Sequence, residues 1–310
     1  MAAHPPVPGF QDIDLRLLRV FHAVARCRGL SAAQGELGVT QSTISSQLSQ
    51  LEDRLGFRLC ERGRGGFTLT DEGRRILEAS RNLFRSIENY RSAVATTRGE
   101  LAGDLYFGTV DAMWSNDELQ LERAFADFVE AAPKVTVHTD IAAPQDLVQG
   151  LAEDRYHLIL TPTQHLLPRF RAAALFRERQ GLYCGRGHPL FDLPEADIGI
   201  AGIADYAYAA RAYMVDWLGP FQTPLRRMAV TSHMESIALL ILSGRYIGYL
   251  PTHFAARWEA RGEMRRLLAE AASYDDRFYL VYRKRETYRA VKILFDCIRR
   301  AAAQGSQRED

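Results

Sequence analysis

Between Arg74 and Arg98 the chain has neither glycine nor proline, and Ile76, Ser80, Leu83, Ile87, Tyr90 and Val94 recur there on the a and d positions of a heptad. Thr70 with Glu72 and Gly73 opens this helix and Gly99 closes it. At ~1.5 Å per residue it extends about 40 Å, too far for one small domain to cover. The helix therefore divides the chain in two. Its seam, carried by Ile76, Leu83, Ile87, Tyr90 and Val94, predicts pairing with the same helix of a second copy; packing against the chain's own carboxy-terminal domain is the alternative reading of the stripe.

Ahead of that helix the periodicity is helical. Leu15, Leu18, Phe21, Val24 and Ala25 share one face of a helix that Asp12 or Asp14 can cap and Gly29 ends. Ser31 is placed to cap a short second helix to about Leu37, Gly38 and Val39 make a tight turn, and Thr40 or Gln41 opens a third helix. There Ile44, Leu48, Leu51 and Leu55 form the apolar face, which turns Gln41, Ser42, Thr43, Ser45, Ser46, Gln47 and Gln50 outward. Small polar groups of this kind suit base edges in a major groove, glutamine pairing with adenine and the threonine methyl meeting that of thymine. A solvated helix face is the plain alternative.

The surroundings favour DNA. Phe57 to Cys60 and Phe67 to Thr70 read as two short strands around a tip from Gly63 to Gly66, which is a wing. Arg54, Arg58, Arg62, Arg64, Arg74 and Arg75 crowd the same stretch, opposed by Glu61, Asp71 and Glu72. Arg62 and Arg64, beside glycines that let the backbone approach a duplex, are the foremost candidates for phosphate or minor-groove contact, and Arg58 and Ser31 join the DNA-binding set.

Beyond Gly103 the grammar changes to strands alternating with helices: Leu105 to Thr109, Glu118 to Glu130, Lys134 to Thr139, Gln145 to Ala152 and Tyr156 to Thr161 make a βαβαβ order, hence a parallel sheet covered on both faces. Strand-like runs at Ala174 to Phe176, Gly181 to Cys184, Tyr206 to Ala209, Met228 to Val230 and Tyr246 to Leu250 surround a helix from Ser232 to Leu242 and form a second lobe. Phe278 to Tyr282 and a helix from Thr287 to Arg300 return to the first. Two lobes joined by two crossings enclose a cleft, and open α/β sheets bind ligands outside the carboxyl ends of their strands. That rule selects Thr109, Asp111, Met113 and Trp114 after the first strand, Thr161 and Thr163 at a crossing, Thr231, Ser232 and His233 at a helix start, and Tyr249. Amides at the helix start suit an anion; the charge of Asp111 opposes a carboxylate, and Trp114 suits an aromatic or cationic ligand.

Several classes are excluded. Of 310 residues, 47% are hydrophobic and 25% charged, with no apolar run long enough to span a bilayer and no signal peptide at the start, so a cytoplasmic protein without a membrane partner is expected. Cys27, Cys60, Cys184 and Cys297 lack metal-ligand or CxxC spacing, and no phosphate loop, Schiff-base lysine context or nucleophile elbow is present. Neither a cofactor, a metal nor catalysis is expected. A secreted solute-binding protein shares the two-lobed half but not the amino-terminal module.

The stretch from Leu18 to Leu77 closely resembles the LysR-type transcriptional regulators: Phe21 and Val24 in an opening helix, the turn Leu37-Gly38-Val39-Thr40-Gln41-Ser42, Ile44-Ser45, Leu51-Glu52 with Leu55-Gly56, Leu59-Cys60-Glu61-Arg62, and Leu69-Thr70 with Gly73. Weaker echoes follow in Arg186-Gly187-His188-Pro189-Leu190 and in Ser243 to Pro251. Ser46 stands where that family often carries arginine, and Cys60 where it usually carries phenylalanine. The resemblance implies an α+β multidomain protein: a tail over 1–11, a winged helix-turn-helix over 12–70, a dimerisation helix over 71–99, and an effector domain over 100–310 resembling periplasmic binding proteins. Its lobe I would cover about 100–164 and 274–310, its lobe II about 165–273. It further implies double-stranded operator DNA, a small-molecule effector, a homodimer that pairs into a homotetramer, and RNA polymerase as partners.

Overall fold

The computed structural model describes residues 9–63, 66–98, 100–162, 167–214, 217–220, 222 and 224–305. Arg64 and Thr163 lie outside these, as does the side chain of Arg62. The chain separates into two compact units, Met1–Ile87 and Glu88–Asp310.

The first unit holds α1 (Asp12–Arg26), α2 (Gln34–Leu37), α3 (Gln41–Leu55), the antiparallel pair β1 (Cys60–Gly63) and β2 (Gly66–Leu69), and the first part of α4 (Asp71–Thr97). Leu17, Phe21 and Val24 of α1 meet Ile44, Leu48 and Leu51 of α3 in a core that excludes water. The caps differ from expectation. The cap residue of α1 is Gln11, whose N–H donates to Asp14 at 2.8 Å. Ser31 caps nothing: α2 begins at Gln34 after Ala33, and Gln34 Nε2 turns back to the Ser31 carbonyl at 3.2 Å. Thr40 caps α3 as expected, accepting from the Thr43 N–H at 3.4 Å. Gly38 takes the left-handed conformation, φ 63°, that a side chain resists.

The first wing strand starts three residues later than the sequence suggests, at Cys60 instead of Phe57. The cause is Glu52. Its carboxylate, 3% exposed, accepts from the Leu59 N–H at 2.8 Å and the Cys60 N–H at 3.4 Å, so those amides turn to α3.

The second unit contains one large sheet. Among the described residues its order is β4 (Lys134–Ile141), β3 (Ala102–Thr109), β5 (Leu158–Pro162), β11 (Tyr274–Arg283), β6 (Phe170–Gly185), β9 (Ile247–Pro251), β7 (Tyr208–Arg211) and β8 (Arg227–Thr231), with β10 (Met264–Leu267) also paired to β6. β4, β3 and β5 are parallel, as the alternating pattern requires, and so are β7, β8 and β9. The helices α5 (Leu121–Ala131), α6 (Pro144–Ala152) and α10 (Arg289–Gly305) belong to the first lobe; α7 (Ile200–Ile203), α8 (Met234–Leu242) and α9 (Thr252–Glu259) belong to the second. Phe107, Phe128, Leu158, Phe278 and Leu294 anchor the first lobe's core. Tyr183, Ile237, Ile241 and Phe254 anchor one core of the second, and Leu182, Ile247, Tyr249 and Leu267 another.

The crossings are longer than the sequence suggests. Ala174 to Phe176 and Gly181 to Cys184 are parts of one strand, β6, whose first half pairs with β11 and whose last residues pair with β9 and β10. The run Arg177-Glu178-Arg179-Gln180 reads as a break because it is polar, yet in a strand it alternates faces: Glu178 is 3% exposed and Gln180 0%. α9 and β10 carry no counterpart among the sequence expectations. No helix among the described residues is long and apolar enough to cross a membrane.

Candidate nucleic-acid interface and ligand cleft

The outward face of α3 is built as its periodicity requires. Gln41, Ser42, Thr43, Ser46 and Gln50 are exposed, Ser45 and Gln47 half-buried, and Ile44 and Leu48 fully buried beneath them. The start of the face is pinned. Gln34 of α2 accepts from the Gln41 N–H at 3.0 Å, and Thr40 Oγ1 lies 2.9 Å from the hydroxyls of Ser42 and Thr43. Ser31 is exposed, ahead of α2 and not on the α3 face.

The basic cluster is more neutralised than the sequence implied. Arg54 lies with its fork on Asp14, at 2.6 and 2.9 Å, tying α3 to α1 and holding the Asp14 carboxyl below the usual range, chiefly through that hydrogen bond. Arg58 pairs with Glu52 at 3.0 Å while remaining 74% exposed, and Arg74 pairs with Asp71. Two of these three acids, Asp14 and Glu52, are remote in sequence or on the apolar side of a helix, so local charge counting missed them. Arg62 sits in β1 opposite Phe67 in the strand register.

Along α4 the heptad stripe has two fates. Ile76, Leu77, Leu83 and Phe84 pack on the core of the first unit, and Ser80, 4% exposed, meets His22 Nε2 at 2.7 Å. Ile87 and Val94 are half-buried and Tyr90 is 70% exposed. The amino-terminal part of the expected dimer seam is thus covered within the chain.

In the second unit the strand-end rule brings several predicted residues to the lobe junction and sends others elsewhere. Thr109 and Thr161 are buried at the ends of β3 and β5, with hydroxyl oxygens that have no hydrogen-bond partner among the described residues. Asp111, 8% exposed, accepts from the Met234 N–H at 2.5 Å at the start of α8. That helix start was expected to receive an anion from solution; a carboxylate of the chain already occupies it. Burial pushes the Asp111 carboxyl above its ordinary value, and the Met234 N–H opposes that shift. Thr231 accepts from the His233 N–H at 3.3 Å, while Ser232 and His233 are exposed.

Three residues leave the cleft. Met113 is buried in the first lobe's core, Tyr249 packs against Trp217 and Tyr274 in the second, and Trp114, 67% exposed, lies beside Arg257 with the guanidinium 5.4 Å from its ring. Met113 and Tyr249 pack inward where a core lies within reach while Trp114 stays on the surface, and that distinction is tertiary.

A polar floor that the sequence expectations did not include crosses between the lobes. Arg211, 4% exposed at the end of β7, donates to Gln180 Oε1 at 2.7 Å and stands 3.9 Å from Asp276. Gln180 in turn donates to Glu178 at 2.6 Å, and His253 joins Glu178 at 2.8 Å and Ser115 at 3.0 Å. Arg211 meets the same strand-end criterion that selected Thr109; Glu178 and Asp276 are visible only as polar residues at inward positions of strands. Beside this floor a cavity of about 560 Å³ opens between α6 and the Tyr213–Met214 turn, bordered also by Pro162, Leu167, Asp276 and Arg277.

The comparisons agree with this architecture. The bacterial regulatory helix-turn-helix profile of the lysR family matches residues 15–74, and the LysR substrate binding domain profile matches residues 98–303. The HTH-type transcriptional activator BauR of Pseudomonas aeruginosa is 34% identical over 91% of this chain and 92% of its own length. The RuBisCO operon transcriptional regulator of Allochromatium vinosum is 26% identical, covering 88% of this chain and 90% of its own. The crystal structure of CbnR, a LysR family transcriptional regulator, shares the fold with a TM-score of 0.66 at 19% identity, over 93% of this chain and 99% of that one. Full-length CbnR complexed with its target DNA gives the same score at 20% identity, over the same shares. A helix-turn-helix with a wing, a long helix and a two-lobed α/β domain, matched along nearly the whole chain, make this protein a LysR-family transcriptional regulator and not an enzyme.

Proposed function

We propose that this regulator binds operator DNA as a homodimer, inserting the exposed face of α3 into the major groove and setting the wing against the flanking backbone. The observation that carries the reading is the pinned polar face: Thr40 and Gln34 fix the start of α3, and Gln41, Ser42, Thr43, Ser46 and Gln50 stand clear of the core. The absence of an arginine at Ser46 gives readout to glutamine and hydroxyl groups, which favours adenine and thymine contacts over bidentate guanine pairing. Arg62 and Arg64 of the wing supply phosphate or minor-groove contact, and Arg58 adds an exposed guanidinium.

The dimer forms through α4, pairs into a tetramer, and acts in the cytoplasm with RNA polymerase as its downstream partner. A small-molecule effector enters the cavity between the lobes and alters operator binding or activation; Thr109, Thr161 and the polar floor around Arg211 support that placement. Titration of purified protein against a genomic promoter fragment at several salt concentrations tests the DNA reading. Arg62→Ala should weaken binding to specific and random duplexes alike and reduce the salt slope by about one contact. An unchanged slope removes Arg62 from the phosphate set, and no salt-dependent binding to any duplex overturns the proposal.

A further inference from the structure

The chemistry of the interlobe cavity narrows the class of effector, given the reading that the cavity is the effector site. Asp276 of β11 borders it with its side chain 25% exposed, and among the described residues its carboxylate receives no hydrogen bond. Its nearest cation, Arg211, stands 3.9 Å away and spends its short hydrogen bond on Gln180. Glu178, which is buried, is answered by Gln180 and His253 and adds negative potential behind Asp276. Asp275 precedes it, the hydroxyls of Tyr213 and Tyr274 lie near Arg211, and Arg277 borders the same cavity from the next position. At the helix start across the lobes, Asp111 already takes the first amide of α8, that of Met234. Pro144, Val148, Pro162 and Met214 make the remaining wall apolar.

We infer that the effector carries a primary ammonium group, which donates to Asp276, on a compact carbon body that lies along the apolar wall. A carboxylate alone would meet the negative potential of Asp276 and Glu178 and bring Asp276 no donor, and a neutral alcohol would leave the anionic charge uncompensated. Burial raises the Asp276 carboxyl to about 6, with Arg211 opposing and Glu178 and Asp275 adding to the shift. An ammonium ligand therefore displaces a proton when it binds below that value and none well above it.

The test is calorimetry on the full-length protein with probes of one carbon length: pentylamine, 5-aminopentanoate, pentanoate and pentanol, each to about 20 mM to reach millimolar affinities. The expected result is binding by the two ammonium probes, with proton release at pH about 5 that vanishes at pH about 8. Tighter binding of 5-aminopentanoate than of pentylamine assigns Arg277 a partner carboxylate and makes the effector an amino acid; equal binding makes it a simple amine. Asp276→Asn should weaken both by about tenfold or more. Gln145→Trp, on the α6 wall of the cavity and away from the charge cluster, should abolish both, and it keeps the test decisive if the asparagine variant unfolds. Binding of pentanoate or pentanol in preference to the amines, or no binding by either ammonium probe, overturns the inference. Those outcomes leave the effector reading itself intact, because that reading fails separately: a metabolite extract that changes neither operator affinity nor melting temperature in the native protein, although it does so for a known regulator, speaks against any effector in this cavity.

Discussion

His22 shows how one side chain ties pH to the stability of the first unit. Its ring lies against Phe84 with centroids 5.1 Å apart, and Ser80, whose hydroxyl donates to the Ile76 carbonyl at 2.7 Å, sits at its Nε2. Burial, reinforced by Arg81 and Arg26, depresses the imidazole from its ordinary 6.5 to about 4. The unfolded chain therefore takes up a proton near 6.5 that the folded chain refuses until near 4, so acidification through that window removes stability. Melting of the native protein should fall as pH drops from about 7 to about 5, and His22→Gln should flatten the part of the dependence that belongs to the first unit. A slope that survives the substitution would place the sensitivity elsewhere.

At the scale of elements, α4 does two jobs along one stripe. Its first turns present Ile76, Leu77, Leu83 and Phe84 to the core beneath α1, and Gly73 stands so close to the Leu59 carbonyl that a Cβ would collide with it. Beyond Leu83 the stripe continues through Ile87 to the exposed Tyr90. The two halves should respond differently to a buried charge. Leu83→Asp should destabilise the first unit by ~2–4 kcal/mol, since it places a carboxylate against that core, whereas Ile87→Asp should release monomers with little loss of melting temperature. Analytical ultracentrifugation beside thermal unfolding separates these effects; a dimer that persists in Ile87→Asp places the contact between copies elsewhere.

At the scale of the whole molecule, the loop after β3 links the lobes of the second unit. Asp111 holds the start of α8, Ser115 meets His253, Trp114 lies beside Arg257, and Ala112 packs in the second lobe's core. Asp111→Ser should cost about 1–2 kcal/mol of stability by losing a charge-assisted helix cap, and it should open the α8 amides to anions. Differential scanning calorimetry with and without sulfate checks this: a variant as stable as the parent and indifferent to sulfate would show that Asp111 is not a cap.

The fold was legible along the chain because burial imposes its period locally: the apolar face of α3, the parallel order of β3, β4 and β5, and the glycine turn at Gly38 each follow from residues within a few positions of one another. The exposed polar face of α3 was legible for the same reason, and so was the family, through the run from Leu18 to Leu77. Partnership between distant residues was not legible. Asp14 takes Arg54 and Glu52 takes Arg58 and the Leu59 amide, so part of an apparent basic patch is neutralised; Asp111 takes the first amide of the anion site its neighbours seemed to offer; and Glu178, Gln180, Arg211 and Asp276 meet only because β11, β6, β9 and β7 follow one another in one sheet. Periodicity records which side of an element is buried, while hydrogen bonds and ion pairs depend on which element arrives there, and only the packed chain decides that.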